Sequence, residues 1–229
     1  MKKKSETIII SIGGSLIVPD MVDTDFLSEL RTLLIGYMKK GVRFVLIAGG
    51  GKTCRRYNAA AEAVVKVSKE DLDWLGIHTT RLNAHLLRTI FKGWAHPEVV
   101  KDPHRQARFK EPMLVTAGWK PGCSTDYDAV LFAKNLHCKK LINLSNIDYV
   151  YTKDPRKHSD ATPIKEIHWK EFRKMLPKKW DPGLNSPFDP IAAKEAEKLK
   201  MTVAIMNGKD MKNLTNFLEG KSFTGTIVD

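Results

Sequence analysis

Four apolar runs in this chain each break into a glycine-rich or polar turn, in the order Ile8 to Ser15, Phe44 to Lys52, Val115 to Asp126 and Leu141 to Pro155. Strand-like segments separated regularly by helix-like ones point to α/β class: a mainly parallel central sheet with helices on both faces, a three-layer αβα sandwich. In the first run Ile8-Ile9-Ile10 leads into Gly13-Gly14-Ser15, and in the second Phe44-Val45-Leu46-Ile47 leads into Gly49-Gly50-Gly51-Lys52. Both read as strand, glycine turn, helix. A turn without Cβ atoms lets backbone N–H groups approach an anion closely, and the helix start behind it adds a positive end, which together suit the gripping of a phosphate.

Between these turns the helical period is visible. Phe26, Leu27, Leu30, Leu33, Leu34, Tyr37 and Met38 share one face, with Asp23 or Asp25 to cap the start and Lys39-Lys40-Gly41 to end it. A helix follows the triple glycine through Tyr57 to Lys66, and Ser68 with Asp71 forms a capping box for a long helix carrying Leu72 to Phe91. The stretch Trp94 to Pro112 has no clear period and reads as an exposed connection. Met113 to Thr116 and Lys140 to Ser145 read as strands, Thr125 to Asn135 as a helix, and Trp169 to Met175 and Asp189 to Leu199 as helices. Met201 to Met206 has the look of a buried strand, and a last helix and a strand at Gly225 to Val228 close the pattern.

With 229 residues, 42% of them apolar, the chain can bury a sizeable core in one domain. Three scattered cysteines make neither a disulfide framework nor a zinc site and suit a reducing cytoplasm, and seven histidines show no ligand spacing, so no protein metal site is expected. The basic start Met1-Lys2-Lys3-Lys4 lacks the apolar run of a signal peptide, and no stretch reaches membrane-spanning length. A net charge of +12 raises the question of nucleic acid, but the cations are spread along the chain without an aromatic-interleaved motif, and attraction for a small polyanion accounts for the charge as well.

Two familiar phosphate motifs fail on inspection. A Walker A loop ending at Gly51-Lys52-Thr53 needs a glycine where Leu46 stands, and a dinucleotide fingerprint needs one where Cys54 stands. The segment from Gly118 through Trp119, Lys120, Pro121, Gly122, Cys123, Ser124 and Thr125 to Asp126 combines turn-formers, hydroxyls and a carboxylate at a helix start. Ser124 or Thr125 caps that helix in the plainer reading. Asn146 to Pro155 leaves the Lys140 to Ser145 strand with polar groups and with Tyr149 and Tyr151, which either flank a base or pack ordinarily.

Taken in order, these pieces resemble the amino acid kinase superfamily, and most closely its UMP kinases of archaeal type. The resemblance rests on Ile12 to Ser15 with Val18-Pro19, Gly49 to Arg55, Asp73 to Ile77 with Thr80 to Ala84, Pro121 to Asp126, Asn146 to Asp148 with Tyr151 and Asp154, Asp189 to Lys194, and Gly225-Thr226. It spans nearly the whole chain. It implies an N-terminal part, about 1–135, that binds the acceptor, and a C-terminal part, about 136–229, that binds ATP. Gly13, Gly14, Ser15, Gly51 and Arg55 would hold ATP phosphates, with Ser145, Asn146, Tyr151 and Asp154 around its base and ribose. Gly50, Asp73 and the loop from Trp119 to Thr125 would bind UMP, while Asp126 orders the transfer centre. Many members carry a lysine where Ser11 stands, so Lys52 or Lys194 would supply the cation, with Lys52 preferred. The resemblance further implies ATP with Mg2+, cytoplasmic transfer of the γ-phosphate to UMP, and a dimer or hexamer. Another small-molecule kinase, or a non-catalytic oxoanion binder resembling molybdenum storage proteins, remains the alternative.

Overall fold

The computed structural model describes residues 6–105, 109–179 and 186–229. The basic start and residues 106–108 of the expected connection lie outside the described residues. The strands are β1 (Thr7–Ile12), β2 (Arg43–Ala48), β3 (Met113–Thr116), β4 (Lys140–Ser145), β5 (Val150–Tyr151), β6 (Pro163–Ile164), β7 (Glu166–Ile167), β8 (Thr202–Asn207) and β9 (Thr226–Val228). The helices are α1 (Gly14–Ile17), α2 (Thr24–Lys39), α3 (Gly51–Val64), α4 (Lys69–Ile90), α5 (Thr125–Asn135), α6 (Trp169–Met175), α7 (Pro190–Lys198) and α8 (Met211–Leu218).

One sheet runs in the order β3-β2-β1-β4-β8-β9-β7. The first five of these strands are mutually parallel, and β9 turns antiparallel against β8. Alternation within the strands divides the core: Ile10, Ile12, Phe44 and Leu46 face α2 and α4, while Ile9, Val45 and Ile47 face α5, α6 and α7. Covered on both faces, the strands must be apolar throughout, which is why β1 and β2 read as continuous runs. The expected mainly parallel sheet with flanking helices is what the chain forms.

Strand order matters for function. The chain steps one way from β1 to β2 and β3, and the other way to β4 and β8, so β1 and β4 flank a topological switch point where the outgoing loops diverge and leave a crevice. The loops after β1, β2, β3 and β4 all leave the same edge there.

Expected caps are present: the Asp23 carboxylate accepts from the Phe26 N–H, and Ser68 accepts from the Asp71 N–H. The helix behind the first glycine loop is the single turn α1, which Val18 ends before α2 begins at Thr24. The connection after Trp94 is not wholly exposed: Ala95 and Val100 bridge to Met113 and Thr116 along the free side of β3, with Trp94 and Val99 packed on the core.

Candidate active site

The two glycine loops interlock. Because β1 and β2 are parallel neighbours, Gly13 and Gly49 leave the sheet side by side, and the Gly49 N–H still donates to Ile12 O at 2.9 Å. A Cβ on Gly14 would lie 2.0 Å from Gly51 N, and one on Gly51, whose φ is +69°, would lie 2.3 Å from Gly14 O. Only glycine permits this approach. On the other side, the Gly13 N–H donates to Leu144 O at 2.8 Å, which ties the first loop to the end of β4. Among the described residues, the N–H groups of Gly14, Ser15, Gly50 and Gly51 have no protein acceptor. First-turn amides of this kind are satisfied by water or by an anion.

The loop after β3 is fastened by its main chain. Thr80 Oγ1 accepts from the Gly118 N–H at 2.8 Å, Arg81 Nη2 donates to Trp119 O at 2.9 Å, and Asp128 Oδ2 accepts from the Trp119 N–H at 3.1 Å. Asp73 Oδ2 accepts from the Gly122 N–H at 2.7 Å. Three of these four side chains come from α4, whose inner face therefore sets the shape of the loop.

A cleft of about 260 Å³ lies between α3, α4 and this loop, lined by Gly50, Gly51, Arg55, Asp73, Cys123, Ser124, Thr125, Asp126 and Asp189 among others. Asp126 is the best connected of its carboxylates. Its Oδ1 accepts from Ser11 Oγ at 3.2 Å and from Asn143 Nδ2 at 3.0 Å, and its Oδ2 from the Asp189 N–H at 3.3 Å. One side of it remains open to the cleft, while dense protein on the others pushes its pKa up to about 7, with the nearby Asp189 adding to the shift. Burial likewise raises Asp73 and Asp189 and takes Asp128 to about 8, though Trp119 and Arg81 oppose the rise at Asp128. The Cys123 thiol is driven up to about 11 by burial and by the Asp128 carboxylate, so it is neutral and a poor nucleophile.

The Amino acid kinase family profile matches residues 6–207. The chain belongs to the amino acid kinase family. It is 32% identical over 216 residues to a uridylate kinase of Sulfolobus acidocaldarius, covering 91% of this chain and 93% of that one. A uridylate kinase of Methanocorpusculum labreanum is 32% identical over 225 residues, covering 96% and 94%. Among solved structures, the uridylate kinase from Archaeoglobus fulgidus superimposes with a TM-score of 0.81 at 24% identity, covering 97% of this chain and 99% of that one, and so shares the fold.

In the structure the expected site residues fall into groups. Gly50, Gly51, Arg55, Asp73, Cys123, Ser124, Thr125 and Asp126 line one cleft, and Gly13, Gly14 and Ser15 adjoin it through the interlocked loops. Ser145 follows, its Cα 3.8 Å from where a Gly13 Cβ would sit. Ser124 caps α5, accepting from the Tyr127 N–H, and also lines the cleft. Other residues stand apart from the cleft wall. The Trp119 ring packs on His104 at 4.7 Å between centroids, with the Lys120 Nζ 4.1 Å from its centre, and Pro121 and Gly122 lie along the same loop. Lys52 uses its N–H on Val18 O, and Lys194 is exposed on α7. Asn146 follows β4, Tyr151 stacks edge-on against Tyr149, and Asp154 is paired with Arg156 at 3.0 Å.

Sequence reasoning assigned no site role to Asn83, Asn143, Asp128 or Asp189, and treated Ser11 only as a departure. A signal was available: Ser11 and Asn143 are single polar residues inside otherwise apolar runs, and both are buried in the structure, as is Asp128. A buried polar group without a structural partner is costly, so an interruption of this kind marks a partner elsewhere in the fold.

Proposed function

We propose that the chain is a uridylate kinase, transferring the ATP γ-phosphate to UMP to give ADP and UDP. Full-length likeness to uridylate kinases supports the acceptor. The observation that carries the reading is the pair of interlocked glycine loops, whose unpaired N–H groups abut a cleft lined by Asp73 and Asp126. Transfer needs two polyanions held end to end, and amides, cations and metal offset their repulsion. A UMP phosphate oxygen attacks the γ-phosphorus while the bond to the β,γ-bridging oxygen breaks, and ADP departs. The attacking oxygen is already ionised, so no general base is required, in keeping with a neutral Cys123. Gly13, Gly14, Ser15 and Gly51 would bind the ATP phosphates, with Ser145, Asn146, Tyr151 and Asp154 on the base and ribose side. Lys52 and Arg55, in the first turns of α3, follow these amides in sequence and would supply cations.

Magnesium fits the donor set. Mg2+ takes oxygen ligands, commonly one or two carboxylates beside substrate phosphates. Asp126 and Asp189 supply carboxylates at the cleft, and Asp189 Oδ2 is buried without a protein partner. When bound, the ion would neutralise charge on the ATP phosphates.

ADP release from Mg-ATP against a panel of acceptors tests the proposal. UMP is expected to be the preferred acceptor, and Asp73→Asn to raise KM for UMP by about tenfold with little change for ATP, because Asp73 touches only the acceptor side and a hydrogen bond to a charged group contributes about 1.5–3 kcal/mol. A different preferred acceptor would redirect the assignment to another kinase, and turnover with none would favour a binder. We also infer self-association. Tyr57 and Val64 on α3 and Trp74 and Leu82 on α4 are exposed apolar residues on adjoining helices, so light scattering should give a mass above the monomer's.

A further inference from the structure

Asn83 lies on α4, 3% exposed, and reaches across to the second glycine loop. Its Nδ2 donates to Gly49 O at 2.7 Å and to Gly50 O at 3.2 Å. No other side chain in the described residues holds those two carbonyls. In a trans peptide the C=O of one residue and the N–H of the next point in opposite directions. Fixing the Gly49 and Gly50 carbonyls towards α4 therefore turns the Gly50 and Gly51 N–H groups away from it. The packing agrees, since Gly50 N and Gly51 N are the atoms that a Cβ on Gly14 would meet, at 2.6 and 2.0 Å. The two amides thus face the first glycine loop and the cleft, and neither has a protein acceptor.

We propose that Asn83 is a positioning residue for phosphoryl transfer, aiming the Gly50 and Gly51 N–H groups at the phosphate between donor and acceptor. Without its two donors both peptides are free to rotate, and a carbonyl oxygen turned into the cleft would repel the phosphate it should hold. The identity of the bound group rests on the kinase reading above; the orientation of the amides does not. The same helix holds the acceptor loop through Thr80, Arg81 and Asp73, so α4 sets both halves of the site from one rigid element.

The test combines kinetics with the amide resonances of Gly50 and Gly51 in 15N-labelled protein. In the native protein both resonances should move on addition of Mg-ATP. In Asn83→Ala the movement should shrink, and kcat should fall about a hundredfold, as for loss of an oriented oxyanion donor, while KM for UMP stays near native. Asn83→Asp keeps the shape but sets oxygen against two carbonyl oxygens, and should fall at least as far. Native kcat in either folded variant would overturn the inference. So would a loss spread evenly over kcat and both KM values with a lowered melting temperature, the signature of a packing role. If neither variant folds, the native titration decides: Gly50 and Gly51 resonances indifferent to Mg-ATP would sink the idea. A clear amide response without turnover of UMP would instead remove the acceptor assignment and leave Asn83 in its role.

Discussion

Replacing Gly14 with alanine is expected to lower the melting temperature by roughly 6–12 °C and kcat/KM for ATP by about a hundredfold. The added methyl carbon would stand 2.0 Å from Gly51 N and 2.6 Å from both Gly50 N and Gly49 C. All three are backbone atoms, so no side chain can swing aside, and the loops must separate. Overpacking against a backbone costs about 3 kcal/mol or more, and misplacing a phosphate grip by an ångström is enough for the kinetic loss. Gly36 provides the control. It is exposed within α2 and a Cβ there meets nothing within 4 Å, so Gly36→Ala should stabilise the protein by about 0.5–1 kcal/mol. Thermal melts and ATP titrations on the two variants check the pair, and a Gly14→Ala protein with native values in both would show that the loops are not interlocked.

The second large effect is expected at Asp126. Asp126→Asn should reduce kcat about a hundredfold or more, because an amide cannot accept from Ser11, Asn143 and the Asp189 N–H together, and one of them is left facing a donor. Stability should respond differently. The folded pKa of about 7 lies above the ordinary 3.8, so between those values the native state keeps a proton that the unfolded chain has released. The contribution of Asp126 to stability is then fully present below about 3.8 and is lost as pH rises towards 7. Removing the titrating group should flatten the fall of melting temperature across that window while activity collapses. Melts at several pH values beside kcat measurements read both, and native turnover in the variant would dismiss Asp126 from the transfer centre.

Much of this arrangement is legible in the amino-acid sequence. The apolar runs at β1, β2 and β4 and the glycines that end them give strand, turn and parallel order, because a doubly covered sheet forces its strands to be apolar on both faces. Caps such as Asp23 and Ser68 announce themselves by chemistry local to one turn. What escapes is set by distant partners or by brevity. Ser11 meets Asp126 across 115 positions, and Asn83 meets Gly49 across 34, so neither contact leaves a periodic trace. The strands β5, β6 and β7 have two residues each, too short for alternation to register. Pro97 and the lack of period likewise hide the bridges from Ala95 and Val100 to the side of β3. The ring of Trp119 is a further case: its loop is readable, but its packing on His104 depends on a connection with no pattern of its own.

The main-chain fastening of the loop after β3 has a practical corollary. Thr80, Arg81, Asp73 and Asp128 grip peptide groups, so the side chains of Trp119, Lys120 and Pro121 are not what keeps the frame in shape. Substitutions at those three positions should leave the path of the loop close to native, whereas changes on the inner face of α4 would move the loop and the cleft wall together.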